Sequence, residues 1–515
     1  MKRSCVGFVT LFLLGISAVY AQDEVSQKAT IQAGFGTVTM GDVQWQRFSF
    51  RPDIPLGKFG VGLDIEVFID EKGKISKEGW DFSNRNKTWD TLLRKIYYLR
   101  YGKPLDKLYA RAGALDDVTL GYGLIMDGYR NTLNYPADKK LGLDFSVRDV
   151  GTFGIGVQAM VNSFGDLKNE GAVVGGRVSV RPLKSLDKGL ISKLTVGATF
   201  VRDINQYAGL KDSDNDGVPD IQDGFPNDKK RWVDTDRDGI EDYIITDGVK
   251  EYVDPDADGD NLTDAWWSDT AGNKGFDNNV VYDDPLNIKN DKNGVSVWGA
   301  DVGLPLIEGK LNLDLYGQYA NIHTGDSGNE GGWGIGAPGL RLIVQRFKGQ
   351  IEYRHFDGRF RPNYFDNLYE HERVTLVGTM PRTKEDNLPD DILNGVYGAA
   401  GYNFFDMISA RASYQYMTGD KTYQDVSGKI VVLDQILKQI PKISIAEAYY
   451  YNTYVTDPYD IWDNTDRTLY GTRIGFEIAP SLMIVWDTHY TFTPNANGGF
   501  DRNRFVGIET VMKMR

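Results

Sequence analysis

Three runs of alternating aspartates hold the side chains with the clearest chemical purpose. They read Asp212-x-Asp214-x-Asp216-Gly217, Asp234-x-Asp236-x-Asp238-Gly239 and Asp254-x-Asp256-x-Asp258-Gly259. Carboxylates on every second residue, followed by a glycine that lets the backbone reverse, can wrap one hard cation with oxygen ligands. Without a cation, the same spacing crowds like charges and opposes compaction. The first run adds Asp220 and Asp223, with the Val218 carbonyl between them. The second adds Asp242, but Ile245 stands where a closing carboxylate would be. The third adds Asp260 and Asp264, with Ala265 at its closing place. Ca²⁺ suits such a set better than Mg²⁺, which keeps its waters and demands stricter octahedral geometry. The plainer alternative is a solvated acidic loop.

No amphipathic helices flank the runs, which argues against a helix–loop–helix sensor. The segment instead resembles thrombospondin type 3 repeats, whose hallmark is Asp-x-Asp-x-Asp-Gly-x-x-Asp in tandem. Asp212–Asp220 and Asp234–Asp242 match that hallmark, while the third run departs from it with Asp260 directly after the glycine. The resemblance implies a string that wraps around shared calcium ions with little core of its own.

The rest of the chain must carry this segment, and it alternates with period two. In Phe59–Ile69, Phe59, Val61, Leu63, Ile65 and Val67 oppose Gly60, Gly62, Asp64 and Glu66; 310–319 and 407–416 repeat the pattern. Segments of about ten such residues suffice for a tilted strand to cross a bilayer. Short turns recur around Pro55, Pro104, Val150, Pro182, Pro305, Lys348, Phe405 and Pro480. Between them lie longer polar stretches: 70–93, 117–138, 163–171, 203–292, 321–338, 358–392, 418–467 and 493–499. Short turns on one side and long loops on the other is the signature of a bacterial outer-membrane, porin-like barrel, which this chain resembles. The expected fold is therefore all-β: a transmembrane antiparallel barrel of 16–18 strands. Barrel halves at 22–202 and 293–515 would flank a calcium-binding extracellular insertion at 203–292. Both termini would be periplasmic, and the interior wide enough for water.

Bulk properties agree with membrane residence. The chain has 58 glycines, 29 tyrosines and 10 tryptophans, favouring strands, turns and interfacial aromatics. Its net charge of −14 is concentrated: residues 212–264 hold 18 acids against 5 bases, leaving −14 − (−13) = −1 elsewhere. Such acidity argues against nucleic acid as a partner. Residues 1–21 read as a signal peptide, with Lys2 and Arg3 ahead of the apolar Val6–Val19. The single cysteine, Cys5, falls inside it, so disulfides and thiolate metal sites are not expected in the mature chain.

Other constellations carry paired readings. Asp64, Glu66, Arg111, Arg177, Lys310, Asp314, Glu352, Arg354, Arg411, Arg473 and Glu477 should face the lumen, either sorting solutes or pairing across strands. Asp487 and His489 share an inward face and resemble the Asp-x-His of omptin proteases; a satisfied lumen histidine is the duller reading. His323, His355 and His371 lack metal spacing, and no phosphate loop, nucleophile elbow or zinc signature occurs. Ile430, Leu433, Ile436, Leu437 and Ile440 fall at helical spacing within a loop. The rings of 447–470 suit a girdle or a binding surface, and Trp266 and Trp267 could pin the insertion to the barrel mouth. The leading expectation is passive passage of small solutes through a barrel held in outer-membrane lipid, with no enzymatic activity and oligomers possible. The alternatives are a surface binding protein or adhesin that engages surface polymers, and an omptin-like hydrolase.

Overall fold

The computed structural model describes residues 30–514 with breaks. The longest lies between 255 and 284, where only 263–264 and 276–277 are described. Others fall at 134–138, 325–330, 434–442 (except Leu437) and 495–498, the rest being of one to three residues. Residues 1–21, read above as a signal peptide, Trp266 and Trp267, and Asp256, Asp258 and Asp260 lie outside the described residues.

The chain forms a nearly closed antiparallel barrel. Its strands are β1 (Thr30–Met40), β2 (Val43–Leu56), β3 (Phe59–Leu63 continuing as Ile65–Ile69), β4 (Ile96–Tyr101) and β5 (Leu108–Gly113). There follow β6 (Gly142–Val150), β7 (Ile155–Val161), β8 (Val173–Val180), β9 (Thr195–Asp203) and β10 (Val295–Ile307). Next come β11 (Leu311–Thr324), β12 (Gly332–Val344), β13 (Phe347–Gly358), β14 (Leu393–Phe404) and β15 (Ile408–Thr418). The last are β16 (Thr422–Val432), β17 (Ile443–Val455), β18 (Thr468–Ala479), β19 (Leu482–Pro494) and β20 (Phe500–Met514). Each pairs with its neighbours, and β1 pairs with β20 from Ile31↔Met514 to Thr37↔Ile508. The β1–β20 pairing nearly closes the sheet on itself, so most ladder groups are satisfied within it, as a bilayer requires.

Twenty strands exceed the expected sixteen to eighteen by one hairpin. The stretch 418–467, read as one long loop, contains β16 and β17. On their inward faces stand Ser427, Lys429, Glu447 and Tyr451, directly opposed to inward residues of β15 and β18 or to one another. In a hydrated lumen a strand needs only one apolar face, so these two resemble loop in sequence. The helical reading of 429–441 is corrected at its start, where 429–432 complete β16, while 434–436 and 438–441 lie outside the described residues, in the connection from β16 to β17 on the side of the chain termini. There the buried Leu437 donates its N–H to the Leu433 carbonyl at 3.2 Å, a bond of helical type. The loop expected at 321–338 likewise shrinks to 325–331 between β11 and β12.

Outward positions form an apolar belt. Phe48, Phe200, Trp298, Leu340, Ile351 and Trp486 are all exposed, and they alternate with buried or half-buried inward residues. An exposed apolar surface wrapping a closed barrel faces lipid. The rings Tyr450, Tyr470 and Tyr490 run across three adjacent strands on this outer face, with Trp462 packed 5.2 Å from Tyr450. They belong to a girdle. The barrel is a transmembrane protein of the outer-membrane type. Ile351, 59% exposed on β13, supplies a test: Ile351→Arg should cost roughly 2–4 kcal/mol at mid-bilayer. The cost should appear as loss of the heat-modifiable barrel band on gels; unchanged assembly would contradict the lipid-facing assignment.

Candidate functional site

The lumen is not simply filled with water. The connection 114–141 leaves β5 and folds inward as a strap, instead of extending as an external loop. Its bend is built by paired backbone bonds, Val118 N–H to Tyr129 carbonyl at 2.9 Å and the reverse at 3.0 Å. Leu115, Val118, Leu120, Leu124, Ile125 and Met126 are all buried, packing on Val201, Val295, Val297 and Ile322 of the wall. Inward glycines make room for it. A Cβ on Gly303 would collide with the Tyr122 hydroxyl, and one on Gly299 would sit 3.0 Å from Ile125. Tyr122 stacks on Tyr316 with centroids 4.3 Å apart and lies under the Arg341 guanidinium.

A second connection, 359–392, lies on the strap. Asn363 and Phe365 N–H groups donate to the Leu124 and Ile125 carbonyls at 2.7 and 3.1 Å, and Asp127 N–H donates to Phe365. Phe360, Tyr364, Phe365 and Tyr369 complete the apolar cluster. At its centre Arg373, fully buried, donates to both oxygens of Asp203 at 2.8 and 2.9 Å and to the carbonyls of Gly171 and Asn205. Glu370 accepts from Tyr129, from Asn162 at 3.2 Å and from Lys140 at 2.6 Å. Burial alone would push the Glu370 carboxyl up, but the charges of Lys140 and Arg373 overcome it and hold the group at about 2. Beside it, Glu372 is held at about 2 in the same way, burial being outweighed by Lys384 and Arg361.

Apart from Asp314, half-buried on β11, and Glu477, exposed on β18, the expected lumen charges on the strands divide into two groups. Asp64, Glu66, Arg177, Glu352 and Arg354 are buried and paired: Arg51 to Asp64 at 2.9 Å, Lys139 to Glu66 at 2.5 Å, Arg177 to Asp301 at 2.8 Å, Arg354 to Glu352 at 2.6 Å. These stiffen the wall. Lys310 falls in the turn before β11. Arg411 and Arg473 remain solvated, with Asp117 and Asp487 as partners at 3.8 and 4.0 Å, while Arg111 is only 20% exposed, pairing with Asp116 at 2.9 Å and lying over the Tyr98 ring. Asp487 thus engages Arg473, while the His489 ring stacks on Phe505 at 4.5 Å, so the structure does not join the two as carboxylate and base.

The aspartate insertion sits between β9 and β10. Asp212, Asp214 and Asp216 bring carboxylate oxygens within 4.8 Å of one another, as do Asp234, Asp236 and Asp238. The two turns repeat one another. Asp212 accepts from Gly217 N–H at 2.9 Å and Asp234 from Gly239 N–H at 3.1 Å. Asp220 caps Ser213 N–H at 2.7 Å, and Asp242 caps Thr235 N–H at 3.1 Å. Gly217 and Gly239 take φ of +112° and +93°, open to glycine. Buried oxygens of Asp214, Asp216, Asp223 and Asp234 have no hydrogen-bond partner. Burial pushes the Asp223 carboxyl up to about 6, with Asp216, Asp214 and Asp220 adding to the effect. Asp254 is buried beside Asp242, which accepts its N–H at 3.4 Å, and Asp264 lies in a two-residue strand.

Sequence reasoning missed the clamp residues Arg373, Glu370 and Lys140. Their available signal was a run of buried-type side chains, Leu120 to Tyr129, inside a connection expected to be solvated.

No protein-family model matches the chain, and no curated protein sequence matches it. Among solved structures, the chain is similar to Wzi from Escherichia coli, an outer-membrane protein involved in group 1 capsule assembly and described as a carbohydrate-binding β-barrel. The identity is 11% and the TM-score 0.32, covering 95% of this chain and 85% of that one. It is also similar to the FrpB iron transporter of Neisseria meningitidis, at 9% identity and TM-score 0.36, with 94% and 81% covered. A third is OccAB4 of Acinetobacter baumannii, at 8% and 0.31, with 96% and 100% covered. The barrel assignment rests on the strand pairings described above.

The clamp yields a test. Arg373→Met strands Asp203 without its cation in a dry interior, at a cost of about 3–5 kcal/mol. Limited proteolysis should then cut 359–390 while the barrel persists; an uncut loop would remove Arg373 from its central position.

Proposed function

We propose that this barrel is a channel for small polar solutes, narrowed by the strap and carrying an outward insertion stiffened by calcium. The observation that carries the channel reading is the asymmetry of the interior. The strap packs against inward apolar residues of β8 to β11, such as Val173, Val201, Val297 and Ile322, while charged inward side chains of β15 to β19 keep contact with water: Arg411 and Arg473 are 64% and 43% exposed. Solvated charges opposite a packed strap leave a polar path beside it. Solutes on that path meet steric and electrostatic filtering and no chemical step.

Support for calcium comes from the aspartates themselves. Buried carboxylate oxygens without a partner are costly, and Asp214, Asp216, Asp223 and Asp234 each carry one. Asp212, Asp214, Asp216 and Asp223 would hold one ion, and Asp234, Asp236 and Asp238 another; Asp220 and Asp242 close the turns around them. Bound calcium would neutralise the crowded carboxylates, and the chain's own part is to present them on pre-bent turns.

Two measurements test this reading. Purified protein in planar bilayers should give discrete conductance steps. Gly303→Val, by evicting Tyr122 from its seat, should enlarge them. Absence of steps in both proteins would leave the barrel as an anchor for a surface binding protein. Separately, chelation should expose 204–292 to protease while the barrel resists, and Asp214→Asn with Asp216→Asn should mimic it. Identical digestion with and without chelator would remove calcium from the account.

A further inference from the structure

The polar path has a charge pattern of its own, which bears on what crosses it. Among the described residues, three cations and three anions stand in facing pairs along it: Arg411, Lys429 and Arg473 against Asp117, Glu447 and Asp487. Glu447, Arg473 and Asp487 stand directly opposite one another on β17, β18 and β19, so their signs alternate from strand to strand. Lys429 on β16 reaches Glu447 at 2.6 Å, and Arg411 on β15 faces Asp117 of the strap at 3.8 Å. The set sums to zero. It is also solvated throughout, with side-chain exposures from 24% at Glu447 to 64% at Arg411. Pairs this wet contribute little stability, so each opens readily to a competing partner.

A net-zero lining of alternating sign has no field to concentrate ions of one charge. A lone anion that displaces Asp487 from Arg473 leaves Asp487 uncompensated. A solute carrying both charges can replace both halves of a pair. Opposite signs on neighbouring strands stand roughly 4.8 Å apart, a separation that a small amino acid can bridge. The geometry points to small zwitterions as the favoured solutes of this path. This rests on the channel reading above and adds the solute class to it.

Glycine and its uncharged isomer glycolamide differ in little besides the charge separation, which makes them the probes. In proteoliposome swelling at neutral pH, corrected for protein-free vesicles, glycine should enter at least about twofold faster than glycolamide. Reversal potentials in a potassium chloride gradient should give a cation-to-anion permeability ratio within about threefold of one. Replacing Glu447→Gln and Asp487→Asn together should make the channel anion-selective and erase the glycine advantage. Glycolamide entering as fast as glycine, or selectivity beyond about tenfold for one ion sign, would overturn the zwitterion assignment and leave the channel standing. A double variant that conducts yet keeps the glycine preference would also overturn it, because the charges would then be irrelevant. No swelling with any probe and no conductance would bring down the channel reading and this inference together.

Discussion

A guanidinium sealed from solvent can persist only where carboxylates and carbonyls surround it, and Arg373 meets that demand by binding two separate parts of the chain. Its partners are Asp203 at the end of β9, the Gly171 carbonyl ahead of β8 and the Asn205 carbonyl at the root of the insertion. Glu370 then extends the network to Tyr129 in the middle of the strap, to Lys140 at its end and to Asn162 on the neighbouring connection. Since removing one partner of such a set leaves others charged and dry, these groups stay together or separate together. The position of the strap within the lumen follows from that condition.

A strap held from one wall produces a lopsided interior. On its seated side, inward glycines and apolar residues exclude water, and the charges that remain, such as Arg354 with Glu352, are consumed by pairing. On the other side, comparable charges keep their hydration. The same residue types are therefore locked into the scaffold on one face and left in water on the other. Burial, and not identity, divides them.

Much of the fold could be read from residue order, since period-two alternation and turn placement depend on neighbours within a strand. Phe59–Ile69 illustrates this: its faces lie where the pattern puts them, interrupted only at Asp64. The β16–β17 hairpin was illegible because its lumen face is polar, which erases half of the contrast that marks a soluble strand. The strap was illegible for another reason. Lys140 and Glu370 are separated by 230 residues, and no local pattern reports a contact that only barrel closure creates. The aspartate runs are the opposite case: their turns are set within five to eight residues, so Asp212–Asp220 and Asp234–Asp242 fold as near copies.

The insertion is tied at its base. Asn205 donates to the Ile288 carbonyl at 2.6 Å, and Gln206 accepts from Tyr364 at 3.0 Å and also bonds to Glu385. A mechanical pull on the external segment, by shear or by an attached surface, would therefore meet resistance first at these side chains. The tension would pass into the connection 359–392 before it could peel β9 from β10. The buried polar cluster would thus act as a strain relief for the sheet, because the bonds that tie the insertion down lie inside the barrel and apart from its lipid-facing wall.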